Sequence, residues 1–189
     1  FLYQKIKELG IPLKSFVSSS AVGWYGTITS DQIYTEQDHN FDDYLGQLCT
    51  QWEAKADQFI NLGCKVSKVR TGIVLSSKGG ALPKMMFPII WGLGATLGSG
   101  KQFIPWIHID DLCTIYTNLI NEYIPSGVYN GVAPETITNN DLTCIIAEVL
   151  NKRLWLPNIP SRILKIIFGE MSTILLNGSR VSSNKLIQS

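Results

Sequence analysis

No glycine-rich turn of the kind that cradles a dinucleotide pyrophosphate on a helix N-terminus occurs in these 189 residues. The nearest pattern, Gly92, Gly94, Gly98 and Gly100, has the wrong spacing and follows no convincing first strand. Blocks of like charge are also missing: 16 basic and 15 acidic residues are spread along the chain, which excludes an electrostatic case for nucleic acid or a membrane surface. The 4 cysteines form no CxxC pair and the 2 histidines, His39 and His108, lie far apart, so neither a zinc site nor a disulfide framework is indicated. Cys49, Cys64, Cys113 and Cys144 are expected to be core thiols in a reducing compartment. The longest uncharged run, Met85 to Gly100, is broken by Pro88 and four glycines and is too short for a membrane helix. Phe1 to Lys14 mixes lysines with apolar residues and has no cleavable-leader pattern, so a soluble, cytoplasmic protein is expected.

What is present is an ordinary core-forming composition, 45% hydrophobic, 16% charged and 10% aromatic. Tyr3 to Leu9 has helical character and stops at Gly10 before Pro12. Lys14 to Ser20 reads as a strand, followed by a polar loop from Thr27 to Asn40. From Asp42 to Leu62, Leu45, Leu48, Cys49, Trp52, Ala56, Phe59 and Ile60 recur at helical spacing, and Gly63 ends the helix. Lys65 to Leu75 carries a β-branched run that reads as a second buried strand. Strand, long helix and strand make one right-handed βαβ crossover in a parallel sheet. Gln102 to Ile109 is a short strand candidate, with Asp110 and Asp111 as caps for a helix from Leu112 to Tyr123. Thr138 to Asp141 resembles a capping box with Asp in place of Glu. Two helices then run from Ser161 to Phe168 and on to Leu176.

The chemistry-bearing feature is the strand end Ser18-Ser19-Ser20-Ala21-Val22-Gly23-Trp24-Tyr25-Gly26, because open α/β sheets place their sites at strand ends. A serine there can hydrogen-bond a substrate oxygen while a tyrosine moves the proton, aided by a lysine one helical turn later. Only Tyr3 and Lys7 satisfy that spacing, and they precede the serine strand. Arg70, near the end of a buried run, calls for a carboxylate or phosphate partner, and Glu53 is a candidate for that partner or for a cofactor hydroxyl. His108 with Asp110 and Asp111 fits a structural capping role better than catalysis or metal binding. Met85, Met86, Phe87 and Trp91 fit either a substrate pocket or core packing.

These motifs, with Trp52-Glu53-Ala54, Arg70-Thr71-Gly72-Ile73-Val74-Leu75, Leu97-Gly98-Ser99-Gly100, Pro105-Trp106-Ile107-His108-Ile109-Asp110-Asp111-Leu112, Gly131-Val132-Ala133-Pro134 and Phe168-Gly169-Glu170, resemble the extended short-chain dehydrogenase/reductase proteins. Within them the chain is similar to the atypical group called NAD-dependent epimerase family proteins, which has a distinctive C-terminal domain. The resemblance implies Ser20 as the catalytic serine, with Tyr25 at the mouth of the site as a candidate proton donor. It implies cofactor contacts from Ser18, Ser19, Glu53, Arg70, Gly72 and Ile73, and substrate-side roles for Met85, Trp106 and His108. It also puts Cys49 where the usual lysine stands and Leu45 near the usual tyrosine, so conventional epimerase chemistry is in doubt.

The resulting expectation is an α/β chain, the C-terminal part of a Rossmann-like doubly wound parallel sheet with a mainly helical C-terminal substrate-side domain. Residues 1–75 would supply later strands and the crossover helix, and residues 76–189 the substrate side, partly interleaved with the sheet. The first mononucleotide-binding half is expected to lie outside these residues. NADP or NAD and a small-molecule substrate would then bind in the intact protein, while this chain alone binds cofactor poorly and self-associates. The competing expectation is a cofactor-binding sensor or interaction protein that kept the fold without the chemistry.

Overall fold

A computed structural model describes residues 1–189. Helix α1 (Leu2–Leu9) ends at Gly10, whose left-handed backbone (φ 63°) closes the last turn. Strand β1 (Ser15–Ala21) follows and leads through a tight 3-10 turn, Val22–Tyr25, into the polar loop. That loop is not wholly irregular: β2 (Ile33–Tyr34) pairs in parallel with β10 (Arg180–Val181) from the far end of the chain. Helix α2 (Tyr44–Asp57) is capped by the Asp43 carboxylate, which accepts from the Gly46 amide at 2.7 Å. It continues as a 3-10 stretch, Gln58–Leu62, to Gly63.

The predicted strand over 65–75 divides at Gly72 into β3 (Lys65–Thr71) and β4 (Ile73–Ser76). β3 lies between β1 and β8 (Val128–Gly131) in a three-stranded, all-parallel sheet, with Ser20 opposite Arg70 and Arg70 opposite Asn130. β4 leaves that sheet and pairs with β7 (Trp106–His108) and with the short β5 (Gly79–Gly80). The split has a steric cause. The Ile73 amide donates to the Pro105 carbonyl at 2.7 Å, and a Cβ on Gly72 would sit 2.4 Å from that oxygen. Only glycine lets the chain change partners there. Pro105 likewise divides the predicted strand over 102–109 into β6 (Phe103–Ile104) and β7.

The remaining elements are α3 (Ala81–Ile90), α4 (Ile109–Ile120), β9 (Ile137–Thr138), α5 (Asn139–Val149), α6 (Ser161–Phe168), α7 (Ser172–Leu176) and α8 (Asn184–Ile187). The α/β class with a parallel sheet is as the sequence implied, and the later segment interleaves with the earlier one through β8. Thr138 caps α5 as read, accepting from the Asp141 amide at 3.2 Å, while the Asp141 carboxylate accepts a hydrogen bond from the Thr138 hydroxyl. At α4 the cap is His108, whose Nδ1 accepts from the Asp110 amide at 3.3 Å. Asp110 and Asp111 sit in the first turn instead, where carboxylates complement the helix dipole.

The core gathers in three clusters: around Leu75, Ile89 and Ile146, around Val69, Ile107 and Tyr129, and around Tyr25, Tyr34, Val132 and Val181. The expected apolar face of α2 is not buried in any of them. Leu48 and Trp52 are exposed, and the helix turns Gly46, Glu53 and Ala56 inward. The thiols are also less buried than expected. All four are unpaired, and only Cys64 is in the core; Cys49 is half-buried, and Cys113 and Cys144 are exposed. No helix is long and apolar enough to cross a membrane.

Candidate functional site

Strand β1 delivers Ser19 and Ser20 to the rim of a cavity of about 460 Å³. Its walls come from α2 (Leu45, Leu48, Cys49 and Trp52), from Ile73 and Phe103–Pro105, and from Ile174 with Asn177–Ser179. The stripe on α2 that reads as a core face therefore lines this cavity, which explains its regular spacing without burial. The far wall, from Ile174 to Ser179, is a contribution the sequence reading missed. The sequence shows here only a helix that ends at Leu176, and nothing local tells that the next residues return to the turn after the serine strand, where Ser179 Oγ donates to the Gly26 carbonyl at 2.9 Å.

Behind Ser20 is a buried polar network. The Ser20 hydroxyl donates to Glu53 Oε1 at 2.8 Å. Arg70 grips the same carboxylate through two bonds, Nε to Oε1 at 2.9 Å and Nη2 to Oε2 at 3.2 Å. Arg70 Nη1 donates to the Tyr25 hydroxyl at 3.0 Å, which donates in turn to Asn130 Oδ1 at 2.7 Å. Asn130 Nδ2 donates to the Ser182 carbonyl, and the Asn130 backbone N–H donates to the Glu36 carboxylate. The Arg70 guanidinium lies 3.7 Å over the Trp24 ring. Glu53 and Arg70 are 4% and 3% exposed, so this pair is a structural ion pair and not an open binding site. Glu53 is thus the carboxylate partner that Arg70 called for.

Each residue picked from the sequence has a definite place in this geometry. Ser19, Ser20 and Ile73 line the cavity. Ser18 is buried one step further back, its hydroxyl turned to the Ser19 carbonyl. Gly72 packs its Cα against the Pro105 carbonyl and a Val132 methyl. Tyr25 is not at the mouth of the site: it has no exposed surface and both sides of its hydroxyl are engaged. The 3-10 turn after β1 swings its ring inward onto Tyr34, at 5.2 Å between centroids. None of the three substrate-side candidates reaches the cavity. Met85 and Trp106 pack on the cluster of Leu75 and Ile89, and His108 is held at the surface by its capping bond.

Burial raises the Tyr25 phenol above its ordinary range, only partly offset by Arg70. Because the folded pKa is the higher one, this contribution to stability is complete below about pH 10 and is lost as pH rises through the folded value. In an alkaline spectroscopic titration, Tyr25 is expected to ionise only together with unfolding. A set of tyrosines that all titrate reversibly in the folded protein would refute the placement. Arg70 itself is pulled down by burial but raised on balance by its bonds to Glu53 and Tyr25. At the cavity wall, burial raises the Cys49 thiol, and its Sγ rests 3.8 Å from the Ala21 carbonyl. At neutral pH it is a thiol and cannot supply the positive charge of a lysine.

No protein-family profile matches the chain. It is 39% identical over 172 residues to an epimerase family protein of Staphylococcus saprophyticus, covering 89% of this chain and 56% of that protein. It is 36% identical over 165 residues to the chloroplastic epimerase family protein SDR39U1 homolog of Arabidopsis thaliana, covering 87% of this chain and 47% of the plant protein. Among solved structures, human epimerase family protein SDR39U1 (isoform 2) with NADPH superposes with a TM-score of 0.86 at 33% identity, over 99% of this chain and 63% of that one. The chain thus spans roughly half of the length of the relatives it matches, 47% and 56% for these two. Over the part of their length that it spans, the chain is homologous in sequence and fold to the epimerase family proteins of the short-chain dehydrogenase/reductase group.

Proposed function

We propose that these residues form the substrate side of an NAD(P)-dependent protein of the epimerase and short-chain dehydrogenase type, with a small apolar molecule as its ligand and Ser20 as the anchoring group. The observation that carries this reading is the cavity itself: Ser19 and Ser20 sit at the end of a parallel strand, facing α2 across a half-open, mainly apolar space. Human SDR39U1 was crystallised with NADPH, and a solved structure from Corynebacterium glutamicum, 30% identical with a TM-score of 0.78, is named a nucleoside-diphosphate sugar epimerase. The free outer edge of β1 gives the relatives' additional length a place to extend the sheet.

The residues present fit the ring end of a dinucleotide and not its phosphates. Ser19, Ser20 and Ile73 border the space, whereas the lining contains no arginine or lysine and Arg70 is committed to Glu53. When bound, NAD(P) supplies hydride transfer; Ser20 fixes the ligand's oxygen or nitrogen beside it, and the apolar walls exclude water. Calorimetric titration of NADPH and NADH into a chain of the relatives' length that contains these residues is expected to give saturable binding. Absence of binding to that longer chain refutes the reading.

A second reading, a cofactor-binding sensor, is favoured by one specific observation: no Tyr, Lys, His, Asp or Glu lines the cavity, and Leu45 and Cys49 occupy the wall where the family pair would act. Catalytic turnover that Ser20→Ala abolishes supports the enzyme. Binding without turnover, unaffected by that substitution, supports the sensor.

A further inference from the structure

Several polar groups around the cavity are already engaged as hydrogen-bond donors. Ser20 Oγ is 2.8 Å from Glu53 Oε1, and an Arg-paired carboxylate accepts only, so the hydroxyl proton must point to Glu53. Ser179 Oγ donates to the Gly26 carbonyl at 2.9 Å and reaches the Ile28 carbonyl at 3.3 Å. Asn177 Nδ2 donates to the Thr173 carbonyl at 3.2 Å, and the Cys49 thiol faces the Ala21 carbonyl. Each of these side chains retains acceptor capacity, Asn177 also keeps its second N–H, and for Ser20 acceptance is the only role left. Ser19 and Thr27 keep free hydroxyls that serve either way. No charged side chain lines the space, so nothing there neutralises a carboxylate or phosphate.

We infer that Glu53 acts through Ser20 as a specificity-determining residue, fixing its hydroxyl as an acceptor so that the cavity selects an uncharged apolar molecule bearing a hydrogen-bond donor, an alcohol or N–H compound over the matching ketone. This rests on the reading of the cavity as a small-molecule site, and it departs from the usual expectation of a serine that donates to a carbonyl. A ketone set against Ser20 would bring two acceptors together and leave both unsatisfied. Glu53 is a positioning residue: it is nearly sealed from solvent and lines no part of the cavity.

Cyclohexanol and cyclohexanone share one skeleton and differ in the group that matters. Each is titrated up to its solubility limit into the same chain of the relatives' length that contains these residues, with binding followed by ligand-observed NMR. Cyclohexanol is expected to bind about 5- to 10-fold more tightly, the size of one net hydrogen bond. The preference is expected to vanish in Ser20→Ala, which leaves the Glu53–Arg70 pair intact, and to persist in Ser20→Thr, which keeps a hydroxyl. Equal binding of the two probes, or tighter binding of cyclohexanone, overturns the acceptor assignment while leaving the cavity as a ligand site. A preference for cyclohexanol that survives in folded Ser20→Ala overturns the role of Ser20. Binding of neither probe overturns the inference together with the small-molecule reading of the cavity.

Discussion

Arg70→Met is expected to destabilise the protein by about 3–5 kcal/mol, because it leaves the Glu53 carboxylate buried without its countercharge. Glu53 is 4% exposed, and the two Arg70 bonds, at 2.9 and 3.2 Å, are its main compensation; Lys68 Nζ, 3.8 Å away, is already bound to Asp57 at 2.8 Å. The same substitution strips the Tyr25 hydroxyl of its donor and Trp24 of its stacked guanidinium. For a chain of this size the melting temperature is expected to fall by roughly 10 °C or more. The double variant Glu53→Leu with Arg70→Met is expected to lose clearly less than Arg70→Met alone, since no unpaired charge remains. Thermal melts of the two variants check this. A drop of only a degree or two for Arg70→Met would mean that water reaches Glu53 and that the network behind Ser20 is not sealed.

Gly72→Ala is expected to cost about 3 kcal/mol, at the upper end of ordinary overpacking, because the atom in the way cannot move cheaply. The new Cβ would lie 2.4 Å from the Pro105 carbonyl oxygen and 3.0 Å from a Val132 methyl. That carbonyl accepts from Ile73, so moving it breaks the junction at which β3 hands over to β4. Because Ile73 and Pro105 also line the cavity, the substitution is expected to weaken ligand binding as well as folding. Gly79→Ala is the matched control: a Cβ there meets nothing within 4 Å, and its effect is expected to be within about 0.5 kcal/mol. Chemical denaturation of the two variants side by side decides the point. Similar stabilities would show that Gly72 is present for some other reason, including the close cofactor approach that the family resemblance implies.

The serine strand, the long helix and the second strand were legible because their signals are local: β-branched runs, apolar spacing at three and four, and glycine stops at Gly10 and Gly63. The pairing of Arg70 with Glu53 was legible too, since a guanidinium in a buried run has to find a carboxylate. What misled was direction. The apolar stripe of α2 has the right period for a core face, but period does not say whether the facing volume is protein or cavity, and here Leu45, Leu48, Cys49 and Trp52 face the cavity. Met85 and Trp106 carry the composition of a pocket wall and pack instead in the core.

The sequence by itself determined the class of the chain, the parallel crossover and the serine at the strand end. Only the tertiary structure decided that Tyr25 is sealed inside, that Gly72 packs on Pro105, that Ile174 to Ser179 close the far wall, and that the Ser20 hydroxyl donates to Glu53. The physical reason is range. Propensity, capping and periodicity act over a few residues and are written in neighbouring positions. Contacts such as Ser20 with Glu53, Tyr25 with Asn130, or Ser179 with Gly26 depend on where a turn aims a side chain after distant segments have packed.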